Sequence, residues 1–302
     1  MDMDLAVRIA DHLVLLQEPH GYPCLTWPLR PFERFLAAGG EPDLHVTVTV
    51  TLPLPEFTPG TVRFDAAHGR WKLYEAGEAL YFESLNPKTM QPRVRAWISS
   101  DFRSVRAWIL PDLQHGQVGW SPMQLINPLV EVCLLSRIGR SGGLLLHAAG
   151  LSYGGQGYVF LGESGAGKST IAELFAARGA TVLSDERVVL GTRGTELFMY
   201  GTPWVGSGNY AKNDSARISN IFEISHGADR HVLISLPPAT YAVRVLRQAV
   251  LPYWDRHGLD KTLGFVASLV CAVPCHTLAF LKSADIVEFI ETHSVRAPAI
   301  VR

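Results

Sequence analysis

Residues Gly162-Glu163-Ser164-Gly165-Ala166-Gly167-Lys168-Ser169 satisfy the pattern G-x-x-x-x-G-K-[ST] at every fixed position. Glycines so spaced let the backbone curl until successive N–H groups converge on phosphate oxygens, and a helix opening near Lys168 turns its positive dipole end toward the same charge. Lys168 is then placed to reach the β- and γ-phosphates, and the Ser169 hydroxyl to ligate magnesium. A glycine-rich turn that merely caps a helix is the plainer reading. Context favours the chemistry. Tyr158-Val159-Phe160-Leu161 reads as a strand before the loop, and residues 169–178, with Ile171, Leu174 and Phe175 on one face, as a helix after it that stops at Gly179. Gly162 through Thr170 are therefore expected to bind ATP with Mg2+.

A second pair of chemical groups follows closely. Residues 180–190, ATVLSDERVVL, read as the next strand, and one strand–loop–helix–strand unit brings the end of its second strand beside the phosphate loop. Asp185 and Glu186 can then face the γ-phosphate, where a carboxylate either accepts a proton from an attacking hydroxyl or holds magnesium. The alternative is a strand-end turn with solvated carboxylates. A transport ATPase would need an LSGGQ-like signature well downstream of the loop and an Asp-Glu pair later still. The nearest string, SYGGQG at 152–157, precedes the loop and reads as a hairpin turn.

Residues 144–190, LLLHAAGLSYGGQGYVFLGESGAGKSTIAELFAARGATVLSDERVVL, resemble the catalytic core of the HPr kinase/phosphorylase family, and more closely the HPr-kinase-related serine kinases. The resemblance rests on an ordered set. It comprises His147 on a strand, the turn at 154–157, the loop Gly162 to Thr170, Arg178-Gly179 at the helix end, Asp185-Glu186, and Arg187-Val188. A weaker likeness continues through GTPW at 201–204 and SNIFEI at 219–224. The resemblance implies an ATP-dependent kinase that transfers the γ-phosphoryl group to a hydroxyl. It makes Asp185 the general base, Lys168 and the loop amides the carriers of developing phosphate charge, and Ser169 with Glu186 the magnesium ligands. It also gives His147 a catalytic role, where a lone histidine in an apolar strand otherwise reads as a core residue. Two departures stand out: Glu186 replaces a second aspartate and Thr170 a glutamate. The family's E-[IV]-R-G-x-G segment, tied to the phosphorolytic reaction, has no counterpart; MYGTPWVGSGNYAKNDSARISNIFEI stands instead, so reverse activity is not expected. Lys212 and Arg217 in this stretch read as solvated charges. The family also implies a homo-oligomer.

The elements that must position these groups follow from pattern. The expected fold class is α/β, a phosphate-loop core over residues 141–302 with a β-rich α+β domain over 1–140. Residues 1–40 read as an amphipathic helix and a Pro/Gly-rich loop, not as a targeting segment. From His45, period-two stretches separated by Gly, Asn and Pro predict a run of antiparallel strands in one curved sheet. A helix is expected at 128–138, another at 241–254, and a hairpin from 144 to 161. The uncharged stretch 263–281 is interrupted by Pro274 and His276, and so reads as a buried helix then a strand, not a membrane span.

Composition excludes further classes. Twenty-seven Lys+Arg against 28 Asp+Glu leave no global field for nucleic acid or an anionic membrane, and 47% hydrophobic with 18% charged residues is globular, not disordered. Four cysteines without a secretory start point to a reducing cytoplasm and no disulfides. Cys271, Cys275 and His276 lack a second ligand pair and read as core residues around a helix end. The tryptophans read as packing, and no G-x-S-x-G or H-E-x-x-H pattern occurs. The expected acceptor is a hydroxyl on a peptide, a protein or a small metabolite. A module that binds ATP without transfer is the contrasting reading.

Overall fold

A computed structural model describes residues 4–26, 30–114, 116–225 and 229–294. The chain divides into two units, Met1–Arg137 with Pro252–Arg256, and Ile138–Leu251 with His257–Arg302.

Alternation builds the first unit. Its strands are β1 (Leu5–Ile9), β2 (His12–Gln17), β3 (Leu44–Val50), β4 (Val62–Asp65), β5 (Trp71–Ala76), β6 (Ala79–Leu85), β7 (Pro92–Ser99) and β8 (Ser104–Ile109), in the order β1-β2-β3-β8-β7-β6-β5-β4. In β3 the residues Leu44, Val46, Val48 and Val50 are buried while Thr47 and Thr49 are exposed, the period-two signature of a half-buried strand. Antiparallel pairing holds from β4 through β8, but β3 runs parallel to both β2 and β8, so the sheet is mixed.

The expected N-terminal helix is instead the β1–β2 hairpin, closed at Ile9↔His12 by Ala10 and Asp11, with Ala10 at φ +54°. Leu5, Ala6, Val7, Leu13, Val14 and Leu16 are all buried, a density of apolar residues that a one-sided helix cannot cover and a strand buried on both faces can. No glycine announces the turn.

A short helix α1 (Arg30–Glu33), a small hairpin of β9 (Asp112–Gln114) and β10 (Gln117–Gly119), and α2 (Met123–Leu125) precede α3 (Glu131–Arg140). The helix expected from 128 becomes regular at Glu131, because Asn127 before Pro128 is extended (φ −132°, ψ 118°). Residues 252–256 return to this unit through Trp254, whose Nε1 donates to Ser136 Oγ at 2.8 Å and whose ring meets Phe64 and Trp71 edge-on.

The second unit is a strand-rich mixed α/β assembly. It contains β11 (Leu144–Tyr153), β12 (Gln156–Leu161), α4 (Lys168–Ala176), β13 (Thr181–Ser184), β14 (Arg187–Arg193), β15 (Glu196–Tyr200), β16 (Ser215–Ser225), β17 (Val232–Ser235), α5 (Pro238–Arg247), β18 (Ala249–Val250), α6 (Arg256–Ala272), β19 (Cys275–Ala279) and α7 (Ile286–His293). The strand order is β12-β11-β14-β15-β16-β19-β17, with β13 and β18 also on β11.

Alternate residues feed two cores. Leu144, Leu146, Ala148, Val159 and Leu161 pack with Tyr241 and Val245 of α5 and Val266 and Leu269 of α6. Ala149, Leu151, Tyr158 and Phe160 pack with Ile171 and Phe175 of α4 and Ile286 and Ile290 of α7. Each fully buried large side chain contributes roughly 1.5–3 kcal/mol, so neither face is dispensable.

The helix expected over 241–254 ends at Arg247, after which β18 joins the sheet. The stretch 263–281 is helix then strand as expected, but the helix is amphipathic, not buried: Phe265, Val266, Leu269 and Val270 face the core while Leu263, Gly264, Ala267, Ser268, Cys271 and Ala272 are exposed, and no described helix is long and apolar enough to cross a membrane. All four cysteines are free; Cys133 and Cys275 are buried, but Cys271 is exposed on α6 and is not part of the core. Among the described residues no three or more His, Cys, Asp or Glu gather around a metal position.

His276 on β19 is 2% exposed, with Nδ1 3.1 Å from Ser235 Oγ and its ring stacked on Phe222. Burial pushes its pKa below the ordinary 6.5. The folded value then lies below the unfolded one, so the unfolded chain binds the proton first. The stability contributed by the neutral ring is complete above about pH 6.5 and is lost as pH falls through the folded value. The urea midpoint should therefore drop between about pH 7.5 and about pH 5.5, and drop less in His276→Gln; identical pH dependence in the two proteins would refute this.

Candidate functional site

Strand β11 organises the site. It pairs antiparallel with both β12 and β13, so these two run parallel to each other. The pairings Ala148↔Leu161 and Gly150↔Ser184 bring their C-terminal ends out at the same edge. The loop 162–167 leaves one end and Asp185-Glu186 leaves the other. Residues 180–190, expected as one strand, break here into β13 and β14. The Ser184 hydroxyl oxygen accepts the N–H groups of Glu186 (3.3 Å) and Arg187 (3.1 Å), a local side-chain turn that ends the ladder.

The loop ends at Gly167, which precedes α4 at φ +108°, a conformation costly for any residue with a side chain. Lys168 is 6% exposed, and its ammonium donates to the carbonyl oxygens of Gly162 (2.8 Å) and Glu163 (3.2 Å). Burial lowers its pKa, and the negative charges of Glu186 and Asp185 oppose that shift.

Asp185 is 1% exposed and is gripped by a second loop. Its Oδ1 accepts the N–H groups of Gly206 (3.0 Å) and Tyr210 (3.3 Å), and its Oδ2 accepts that of Gly208 (2.7 Å) and the Ser169 hydroxyl (3.4 Å). A buried carboxylate is tolerated only when its oxygens are satisfied in this way. Glycine is required by proximity. A Cβ on Gly206 would lie 2.9 Å from Asp185 Oδ2 and 3.1 Å from Glu186 Oε2, and one on Gly208 would lie 2.8 Å from Asp185 Oδ2. The loop is stitched across the β13–β14 break. Thr202 Oγ1 donates to the Arg187 carbonyl (2.6 Å), the Ser184 hydroxyl to that of Trp204 (3.4 Å), and the Lys212 N–H to that of Leu183 (2.9 Å).

Glu186 takes the opposite situation. Its Oε1 stands 3.2 Å from His147 Nε2, and both side chains are about a third exposed, at 35% and 29%. A cavity of about 320 Å³ is lined by His147, Asp185, Glu186 and Ser207, together with loop residues Ser164, Gly165, Gly167, Lys168, Ser169 and Thr170. The structure thus gathers His147, Lys168, Ser169, Asp185 and Glu186 in one place.

Three of the expected phosphate-loop residues do not line the cavity. Ala166 is buried in the core beside α4, Gly162 packs against it, and Gly162 and Glu163 offer their carbonyls to Lys168. Lys212 pairs with Asp214 at 3.2 Å and Arg217 with Glu196 at 3.4 Å, both away from the cavity, as their solvated reading anticipates.

Sequence reasoning missed Gly206, Ser207, Gly208 and Tyr210. The Gly-Ser-Gly triplet beyond β15 is their one local signal, and it becomes legible only with Asp185 known to be buried.

No family model matches the sequence, and no curated protein matches it. Among solved structures the chain is similar to the Hpr(Ser) kinase/phosphatase from Coxiella burnetii, at 13% identity and a TM-score of 0.29, over 49% of this chain and 91% of that one.

Gly208→Ala should force the loop off the Asp185 carboxylate and lower stability by about 1–3 kcal/mol. Ser207→Ala, at an exposed position between the two glycines, should stay within about 0.5 kcal/mol. Urea unfolding of both variants checks this; an unperturbed Gly208→Ala would mean that the close approach is not required.

Proposed function

We propose that the chain is an ATP- and Mg2+-dependent kinase that transfers the γ-phosphoryl group to a hydroxyl acceptor on a peptide, a protein or a small metabolite. One observation carries the reading. The glycine-rich loop, Lys168, Ser169, two carboxylates and His147 converge on a single cavity at the N-terminus of α4. The resemblance of residues 144–190 to HPr-kinase-related serine kinases supports the same reaction class.

In this reading, loop amides, Ser164 to Thr170 among them, and the first turn of α4 hold the triphosphate. Lys168 releases its loop carbonyls for phosphate oxygens, because a charge-assisted bond to an anion is the stronger one. The donor set fits a hard divalent cation: the Ser169 hydroxyl and the Asp185 carboxylate, 3.4 Å apart, supply only oxygen. When bound, Mg2+ would neutralise charge between the β- and γ-phosphates.

Proton transfer divides the two carboxylates. The sequence reading gives Asp185 the role of general base, but both of its oxygens accept hydrogen bonds from the 206–210 loop and Ser169. Glu186 is exposed to the cavity, and His147 orients it. The geometry favours Glu186 as the proton acceptor and Asp185 as the metal-side carboxylate. The second reading, a regulator that binds ATP without transfer, follows from this same closure if Asp185, not Glu186, is the base.

Turnover of labelled ATP with a panel of serine peptides and polyol metabolites tests the proposal. Glu186→Gln should keep nucleotide affinity and lose transfer by roughly 10²–10⁴-fold. Lys168→Ala should weaken ATP binding by about 10–100-fold, in line with loss of a charged hydrogen bond. Chelation of divalent cations should abolish transfer. If Glu186→Gln turns over normally while Asp185→Asn does not, the base is Asp185; if no acceptor is ever labelled by a protein that binds ATP tightly, the regulator reading holds.

A further inference from the structure

The Gly206–Tyr210 loop does more than satisfy Asp185. Its three amides at 206, 208 and 210 are spent on the carboxylate, and the side chain between the two glycines, Ser207, is exposed and lines the phosphate cavity. The Ser207 hydroxyl donates to Ser169 Oγ at 3.2 Å, and Ser169 Oγ in turn donates to Asp185 Oδ2 at 3.4 Å. Three oxygens from three separate segments, the start of α4, the β13–β14 break and this loop, therefore form a continuous chain at the cavity wall.

Their spacing has a chemical meaning. An octahedral Mg2+ with bonds of about 2.0–2.1 Å places neighbouring ligands roughly 3 Å apart. Oxygens already 3.2 and 3.4 Å from a shared Ser169 Oγ need little movement to face one cation. Mg2+ is ordinarily held by one or two carboxylates, substrate phosphates and several waters, so a neutral hydroxyl at this wall would take a position that water otherwise fills.

Resting on the proposed nucleotide site, we infer that Ser207 is a further metal-side residue, a hydroxyl that the glycine loop delivers to the divalent cation accompanying the nucleotide. The same loop then serves two purposes. Its backbone orients Asp185, and its one side chain in the cavity reaches the cation beside Ser169. Proximity explains the order of residues: glycine on both sides of Ser207 lets the backbone approach the carboxylate closely enough for the hydroxyl to reach Ser169.

Mn2+ bound to the full chain with ADP, followed by electron paramagnetic resonance, tests this without turnover. A fluorescent ADP analogue measured in chelator reads the metal-free affinity in parallel. Ser207→Ala should weaken Mn2+ binding roughly tenfold, the low end for loss of a group supporting a metal site. Metal-free nucleotide affinity should stay unchanged, and Ser207→Thr should restore Mn2+ binding. Wild-type Mn2+ affinity in Ser207→Ala would overturn the inference, as would failure of the threonine to rescue, which would trace the effect to the loop's fold. If the wild-type protein binds ADP no better with Mn2+ than in chelator, the inference falls with the metal-dependent part of the proposed function. Failure to bind nucleotide at all would instead refute the kinase reading itself.

Discussion

A buried carboxylate with too few donors would destabilise its own fold, and the arrangement around Asp185 is organised by that constraint. Taking one ionisable group out of water costs several kcal/mol unless hydrogen bonds replace the solvent. The chain meets this cost with main-chain amides, which need no side-chain entropy to hold in place. From that choice follow the break between β13 and β14, which turns Asp185 inward, and the glycines at 206 and 208, which let the backbone come near. The anchoring of residues 202–212 back onto the same break belongs to the same solution.

The sheet makes this local solution useful. Because β11 lies between β12 and β13 with opposite direction to both, a loop and a strand end that are distant in sequence open at one edge. The two cores hold that edge rigid from both faces, with α4 clamped by Ile171 and Phe175 on one and β11 by Leu144 and Leu146 on the other. A site that must place charged groups to within a fraction of an ångström is best carried on such a scaffold. His147 shows the economy of the design. It sits on β11 itself, opposite Arg187, and so reaches Glu186 directly across the strand pair.

Where the sequence was readable, a local rule was sufficient. Fixed glycine spacing, Lys168-Ser169 and the stop at Gly179 define a loop and helix without reference to the rest of the chain, and alternation marks β3 through its four buried residues. Legibility fails where tertiary burial decides. Residues 5–17 are apolar enough for either helix or hairpin, and the turn at Ala10-Asp11 uses a left-handed alanine in place of a glycine. The parallel pairing of β3 is not local either: β2 reaches it through the connection over residues 18–43, and β8 joins its other edge from residues 104–109. The 206–210 loop carries no motif of its own; its glycines matter only because Asp185 is buried 21 to 23 positions earlier.

Charge balance links these parts. The cavity lining contributes one lysine against two carboxylates, with His147 able to add at most one positive charge. Lys168 faces its own loop carbonyls and Asp185 faces its own loop amides, so both buried charges are satisfied from within. Such a cavity has little net attraction for a bare polyanion, since the single ammonium is offset by the carboxylates nearby. Two neutral hydroxyls, Ser169 and Ser207, continue the hydrogen-bond chain outward from Asp185, so the wall beside that carboxylate gains polar contacts without adding charge.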